Sequence, residues 1–328
     1  MKNKLKAISL FSGCGGADLG LIGGFKYLGK DYCRHPIEII HASDINAKAV
    51  NTYNLNFPHK AICADVLNLS FDGFQADIVM GGFPCQNFST VNPNKDPEDA
   101  NNQLFWELAK VVEAVQPKVV IGENVKGFYL LKNGKFFKMI KGRLENLGYN
   151  VFEKVLNAAE YGVPQLRERL LIIGIQKDAI DKFSFPPAAY GPKNLSNIAY
   201  IPLKRVIDSL VPSDNKYYFS KKAVEGVKKA KPNMKRALAQ DLNKPCLTIT
   251  SHLAKVSLNS RDPVLLVNQE QELYRRFSPR EAARIQSFPN EFIFSGSEAD
   301  AYRQIGNAVP PVLLWNVMNA ILNQVFTS

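Results

Sequence analysis

The 328-residue chain has no stretch of about 18 or more apolar residues, the length a membrane-spanning helix requires, so a soluble protein without a membrane partner is the expectation. Its N-terminus carries Lys2, Lys4 and Lys6 but passes directly into a strand-like run at Ala7, which does not resemble a targeting segment. Cysteine is scarce and unpaired. Cys14, Cys33, Cys63, Cys85 and Cys246 stand singly, with no CxxC or Cys/His ligand spacing, which argues against a disulfide framework and a zinc site and fits a reducing cytoplasm. No internal repeat or low-complexity tract is present. Charge is unbalanced, with 41 Lys and Arg against 30 Asp and Glu for a net +11, a correlate of polyanion binding that proves nothing alone.

The first half alternates short apolar runs with helix-period segments, the pattern of an α/β, doubly wound, mostly parallel sheet. Strands are expected at Ala7 to Phe11, Ile37 to Ala42, Ala61 to Ala64, Ile78 to Met80, Val119 to Glu123 and Leu170 to Ile175, with crossovers short enough for βαβ units. Helices are expected over Asn46 to Asn56 and Gln103 to Val115. Beyond about Lys177 the sequence turns Pro-rich and irregular. Between Ile201 and Lys244, eleven Lys and Arg face four acids, so +7 of the net charge lies there. Lys221, Lys222, Lys228 and Lys229 in this stretch fit either a solvated face or phosphate contacts.

Candidate site residues cluster at the ends of the expected strands. Phe11, Ser12, Gly13, Cys14, Gly15 and Gly16 form a glycine-rich turn, followed by Asp18, Leu19 and Gly20 as a helix opens. Such a turn suits a nucleotide-like ligand, although a plain turn explains it equally well. Asp44, beside Ile45, ends the next strand, where a carboxylate can hold ribose hydroxyls; Asp65, beside Val66, follows the third and could accept a hydrogen bond from an adenine amino group. Either aspartate could instead cap a helix. Gly81-Gly82-Phe83-Pro84-Cys85-Gln86-Asn87-Phe88-Ser89 follows the fourth strand and sets one cysteine at the sheet's carboxyl edge, a position for a nucleophile or for a small buried side chain. The polar loop Gln86 to Asn102 fits a flap over a site. Glu123, in Gly122-Glu123-Asn124-Val125, is a carboxyl that could hold a proton, and Gln165-Leu166-Arg167-Glu168-Arg169 sets two guanidinium groups on one side of a strand at period two.

In this order the motifs resemble the DNA cytosine-5 methyltransferases, specifically the small single-chain bacterial type. The matching strings are Phe11 to Gly16, Asp44, Asp65, Gly82 to Gln86, Gly122 to Val125, Gln165 to Arg169, Arg276 to Phe292 (RFSPREAARIQSFPNEF) and Gln304 to Pro310 (QIGNAVP). The resemblance implies S-adenosylmethionine as methyl donor, S-adenosylhomocysteine as product, and no metal. It implies a cofactor site of Phe11, Ser12, Gly13, Gly15, Asp18, Leu19, Gly20, Asp44, Ile45, Asp65, Val66, Pro84, Asn307 and Ala308. It further implies that Cys85 attacks carbon 6 of a flipped-out cytosine, that Glu123 binds ring nitrogen 3 and the exocyclic amine, and that Arg169 contacts the carbonyl oxygen with Gln165 and Arg167 beside it. The partner implied is double-stranded DNA, contacted by Gln86, Ser89, the four lysines, Thr248, Ser251 and His252. A restriction endonuclease of the same specificity could accompany a monomeric enzyme. The expected division is a catalytic and cofactor domain over 1–179, a target recognition domain over 180–267, a hinge over 268–296 and a returning segment over 297–328.

Departures are few. Phe83 stands where many members have proline, Cys14 replaces a commonly smaller residue, and Lys26 to Pro36 looks like an extra excursion. An RNA-acting branch carries a Cys-Phe-Thr signature and a Gly/Ser-rich stretch, where this chain reads Cys246-Leu247-Thr248 with no such stretch. A non-catalytic relative would be expected to lack Cys85 or Glu123. A nicotinamide-dependent oxidoreductase would explain the sheet but not these strings.

Overall fold

The computed structural model describes residues 4–83, 103–130, 134–192, 194, 197–208, 215–230, 239–255 and 263–327, with the backbone alone at 103, 130 and 226–230. Of the residues singled out from the sequence, Pro84, Cys85, Gln86 and Ser89 lie outside the described residues, as do the side chains of Lys228 and Lys229.

The N-terminal half runs β1 (Leu5–Leu10), α1 (Gly16–Ile22), the hairpin strands β2 (Phe25–Tyr27) and β3 (Lys30–Tyr32), β4 (Ile37–Asp44), α2 (Ala47–Asn56), β5 (Ile62–Cys63) and β6 (Ile78–Gly81). It continues through α3 (Gln103–Val115), β7 (Val119–Val125), α4 (Lys126–Leu130), α5 (Lys135–Asn146), β8 (Tyr149–Asn157), β9 (Gln165–Leu166) and β10 (Glu168–Gln176). The remainder holds α6 (Lys221–Ala230), β11 (Cys246–Leu247), β12 (Leu265–Asn268), β13 (Leu273–Arg275), α7 (Pro279–Ile285), α8 (Glu298–Asn307) and α9 (Pro311–Val325).

Seven strands make the central sheet in the order β5-β4-β1-β6-β7-β10-β8. From β5 to β7 every pairing is parallel, as the apolar runs require of strands covered on both faces. Alternation along β1 sends Ala7 into one core, with α1, α2 and α9, and Ile8 and Leu10 into the other, with α3 and α5. The chain moves outward from β1 through β4 to β5, then returns to place β6 on the other side of β1. That reversal opens a crevice at the carboxyl ends of β1 and β6, where ligands bind in open α/β sheets.

Two features depart from the sequence-based expectation. The strand expected at Leu170 to Ile175 is antiparallel to β7, and it pairs along nine positions with β8, which the apolar pattern did not reveal. As the edge strand, β8 needs no continuous apolar run and carries Glu153 and Lys154 in mid-strand. Helix α5 was likewise hidden by Lys135, Lys138, Lys141 and Arg143, although Phe136, Phe137, Ile140 and Leu144 form a buried stripe. The excursion Lys26 to Pro36 holds most of the β2–β3 hairpin, which begins at Phe25 and is turned by Leu28 and Gly29 at positive φ. It packs on α9, where Tyr32 meets Trp315 edge-on, and on α7, where Tyr27 Oη donates to the Arg284 carbonyl at 2.7 Å.

Leu203, Val206, Ile249 and Leu253 of the irregular region are buried in continuity with the α1–α9 core. The buried Arg275–Glu281 pair, at 2.7 Å, joins β13 to the first turn of α7, where Ser278 and Glu281 form a capping box. Together α8 and α9 span 28 residues apolar enough for a membrane helix, yet their most apolar window is 67% buried inside the protein, as befits a core element.

Candidate active site

The glycine-rich turn after β1 is built for close approach. Phe11 adopts a positive φ of 54°, rare for a side-chain-bearing residue, and Ser12 N then donates to the Ser43 carbonyl at 3.0 Å. Gly13 N donates to Asp44 Oδ2 at 2.8 Å, and Asn46 N to Asp44 Oδ1 at 2.8 Å, so one carboxylate pins the ends of β1 and β4 together. Burial raises the Asp44 pKa against these two backbone bonds. Asn46, not Asp44, caps α2. Asp65 accepts from Leu67 N at 3.1 Å and so caps the 3-10 turn Val66–Asn68, while also lining the crevice. Ile45 projects from the rim with 70% of its surface exposed.

On the other side of the crevice, Glu123 near the end of β7 pairs through Oε1 with Arg169 Nε at 2.9 Å. Burial raises the Glu123 pKa, and the Arg169 and Arg167 guanidinium charges oppose that rise. Gly82 lies against this carboxyl: a Cβ there would come within 3.2 Å of Glu123 Oε2. Phe83 is buried against Phe105 and Phe128, and its carbonyl accepts from Asn124 Nδ2 at 3.1 Å, which anchors the chain just past β6. Asn124 belongs to a string read from the sequence, but nothing in its spacing announced this anchoring role.

A single cavity of about 640 Å³ joins the two sides. Phe11, Ser12, Gly13, Asp44, Ile45, Asp65, Val66, Glu123, Arg169, Asn307 and Ala308 all line it. Cys14 lines it too, but burial pushes its thiol up to about 12, which leaves it inert as a nucleophile.

Several residues expected in the site support it from outside the cavity wall. Helix α1 starts at Gly16, and beyond Gly16 and Ala17 none of its residues lines the cavity. Gly15 sits under Phe57, Gly20 is pressed on the Pro311 carbonyl of α9, and the carbonyl of Leu19 accepts from Gly23 N. Asp18 is buried behind the turn, accepts from Ser9 Oγ at 2.6 Å, and has its carboxyl raised to about 6 by burial, with that hydrogen bond acting in the opposite direction. The even spacing of Gln165, Arg167 and Arg169 also misleads. The chain bends between β9 and β10, which belong to different sheets, so only Arg169 reaches the cavity, while Gln165 and Arg167 are buried in the junction behind it.

The recognition candidates flank that junction. Thr248 Oγ1 donates to the Leu166 carbonyl at 2.6 Å, and β11 pairs parallel with β9; Ser251 is half-buried and His252 exposed. Gly306, beside Asn307, touches this segment so closely that an added Cβ would fall 2.2 Å from the Thr250 carbonyl. Gly306→Ala should therefore cost about 3 kcal/mol or more, measured by urea denaturation, because backbone and not a movable side chain must give way.

The sheet order, its reversal at β1 and β6 and the crevice there define a Rossmann-like methyltransferase fold. Solved structures share it: Dnmt2 methyltransferase of S. pombe superposes with a TM-score of 0.74 at 22% identity, covering 98% of this chain and 99% of that one. A putative DNA modification methyltransferase encoded within an E. coli prophage gives 0.70 at 22% identity, covering 98% and 100%. The chain belongs to the C-5 cytosine-specific DNA methylase family, whose sequence model matches residues 5–323, and it is a DNA cytosine-5 methyltransferase. It is 33% identical to the type II methyltransferase M.FnuDI of Fusobacterium nucleatum, over 97% of this chain and 94% of that protein. With M1.HphI of Haemophilus parahaemolyticus it shares 32%, over 97% and 87%.

Proposed function

We propose that the protein transfers a methyl group from S-adenosylmethionine to carbon 5 of a specific cytosine in double-stranded DNA, through a covalent adduct of Cys85 with the flipped-out base. The observation that carries this reading is the single cavity in which Asp44, Asp65 and Ile45 face Glu123 and Arg169. Its first half suits an adenosine: two carboxylates for hydroxyl and amino donors and an exposed aliphatic rim for a flat ring. When bound there, S-adenosylmethionine supplies an electrophilic methyl group. The chemistry calls for no metal ion.

Carbon 5 of cytosine is too weak a nucleophile to take a methyl group unaided. The Cys85 thiolate adds to carbon 6, a proton or strong hydrogen bond from the Glu123 carboxyl to ring nitrogen 3 neutralises the charge formed, and carbon 5 becomes enamine-like. After carbon 5 is methylated it loses its proton to water. The carbon 5–carbon 6 double bond re-forms, Cys85 leaves as thiolate, and the nitrogen 3 proton returns to Glu123. Burial keeps Glu123 protonated to higher pH than an exposed glutamate, and Arg169 limits the rise while orienting the carboxyl. Gly82 lies beside Glu123, and Cys85 follows it three positions later in the sequence. Reaching a base inside a duplex requires flipping it out, at a cost of a few kcal/mol.

The rest of the reading is a division of labour: 1–179 with 297–328 for catalysis and cofactor, 180–267 for target recognition and 268–296 as hinge. The enzyme acts as a monomer in the cytoplasm, alongside a restriction endonuclease of matching specificity. Bisulfite sequencing of a plasmid propagated with the protein tests activity and target together; uniformly unmethylated cytosines would overturn the reading.

The basic stretch gives a separate expectation. Lys221 and Lys222 are exposed on α6. If these two and Lys228 and Lys229 hold phosphates, replacing all four by glutamine should weaken binding to cognate and scrambled duplexes alike and flatten the slope of log affinity against log salt by roughly 3 to 4. Replacing Ser251 or His252 should instead lower discrimination between cognate and near-cognate sites, by roughly 1 to 3 kcal/mol for each base-edge interaction removed. An unchanged salt slope, or unchanged discrimination in both loop variants, defeats the corresponding half.

A further inference from the structure

Behind the cavity lies a buried polar network whose three side chains do not line it. Gln165, Arg167 and Gln286 are each at most 1% exposed. Gln165 Oε1 accepts from Ile249 N at 2.9 Å, and its Nε2 donates to the Ile285 carbonyl at 3.3 Å and to Gln286 Oε1. Arg167 Nη1 donates to the Ile249 carbonyl at 3.0 Å, and Nη2 to the carbonyls of Gly306 at 2.8 Å and Ala308 at 3.0 Å. Gln286 Nε2 donates to the Ile305 carbonyl at 3.0 Å and to that of Ala308.

Both backbone groups of Ile249 are therefore held by side chains from the bend between β9 and β10. The same side chains, with Gln286, hold the carbonyls of residues 305, 306 and 308. Ile249 sits between Thr248 and the recognition candidates Ser251 and His252; Gly306, Asn307 and Ala308 form one wall of the cavity. The Gly306 contact on the Thr250–Ser251 peptide interlocks the same two segments.

Stability alone is a poor explanation for a guanidinium at this place. A buried cation is costly to desolvate, and packed apolar residues of similar volume commonly do as well or better. Arg167 donates to carbonyls and not to a carboxylate oxygen, and among the described residues its Nε has no hydrogen-bond partner. What the planar fork offers that apolar packing does not is direction: a shift of Ile249 moves the guanidinium, and with it the carbonyls of Gly306 and Ala308.

We infer that Arg167, assisted by Gln165 and Gln286, is a positioning residue that couples the recognition segment at Ile249 to the cavity wall at Gly306–Ala308, so that DNA and the methyl donor's product bind cooperatively. The inference rests on the proposed reading of the cavity and of the recognition segment. Linkage makes such coupling reciprocal.

The test is a thermodynamic cycle. The Kd for S-adenosylhomocysteine is measured by calorimetry with and without saturating cognate duplex, for the wild type, Arg167→Lys and Gln286→Met. Lysine keeps the charge but loses the fork, and methionine keeps the volume but loses the amide. In the wild type DNA should tighten S-adenosylhomocysteine binding by about 5- to 150-fold, the usual range for coupled sites. In both variants the ratio should fall to within about twofold of unity, while each ligand alone still binds. The Lys221→Gln/Lys222→Gln double variant should weaken DNA binding and leave the ratio at its wild-type value. Failure of the wild type to bind either ligand alone defeats the functional reading. A wild-type ratio near unity, or variants that merely melt earlier and keep the wild-type ratio, overturns the coupling. Should Arg167→Lys not fold, the ratio in Gln286→Met decides.

Discussion

Cys85→Ser is expected to lower methyl transfer by a factor on the order of 10³ or more, with folding and DNA binding largely intact. A hydroxyl is nearly isosteric with the thiol but ionises far less readily, so the attack on carbon 6 is lost and the rest of the site remains. The four described cysteines do not offer a substitute: burial raises the pKa values of Cys14 and Cys246, and Cys33 and Cys63 are exposed and do not line the cavity. The companion experiment uses DNA carrying 5-fluorocytosine at the target. Fluorine cannot leave as the carbon 5 proton does, so the adduct should persist through denaturation and map to the Cys85 peptide. Methylation by Cys85→Ser at a tenth of the wild-type rate, or no trapped adduct under conditions that methylate ordinary DNA, would defeat covalent catalysis.

Glu123→Gln should reduce kcat by about 10²- to 10⁴-fold, the usual contribution of a positioned proton donor. The amide keeps an oxygen for Arg169 Nε and can still donate a hydrogen bond, but it cannot hand over a proton, so the loss reports on chemistry and not on folding. The sign of the pH dependence follows from the site. Burial raises the Glu123 pKa, the acid form is the one required, and wild-type activity should therefore fall as pH rises through that pKa. This alkaline limb should be absent from the Glu123→Gln profile. Arg169→Met removes a neighbouring cation that favours the carboxylate, so its alkaline limb should move to higher pH even though kcat falls. A Glu123→Gln enzyme with an unchanged limb would show that some other group titrates.

Why part of this was legible in the sequence and part was not can be seen in particular residues. Strands β1, β4, β6 and β7 announce themselves because a parallel strand covered on both faces must be apolar throughout, and the residues just past their ends are where the crevice has to lie. Phe11, Asp44 and Glu123 could be found in this way, and Asp65 by its place just past the short strand β5. Strand β8 could not, since an edge strand tolerates Glu153 and Lys154 at no great cost.

The sequence by itself determined the class of chemistry: one cysteine after Gly-Gly, one glutamate at a strand end and the order of strings between them depend on covalent order, which the chain carries directly. Only the tertiary structure decided which of three evenly spaced polar residues, Gln165, Arg167 and Arg169, faces the cavity. Period two holds only along an unbroken strand, and the bend between β9 and β10, imposed by pairing one with β11 and the other with β7 and β8, turns Arg169 into the cavity and buries Gln165 and Arg167 against segments more than 80 residues away.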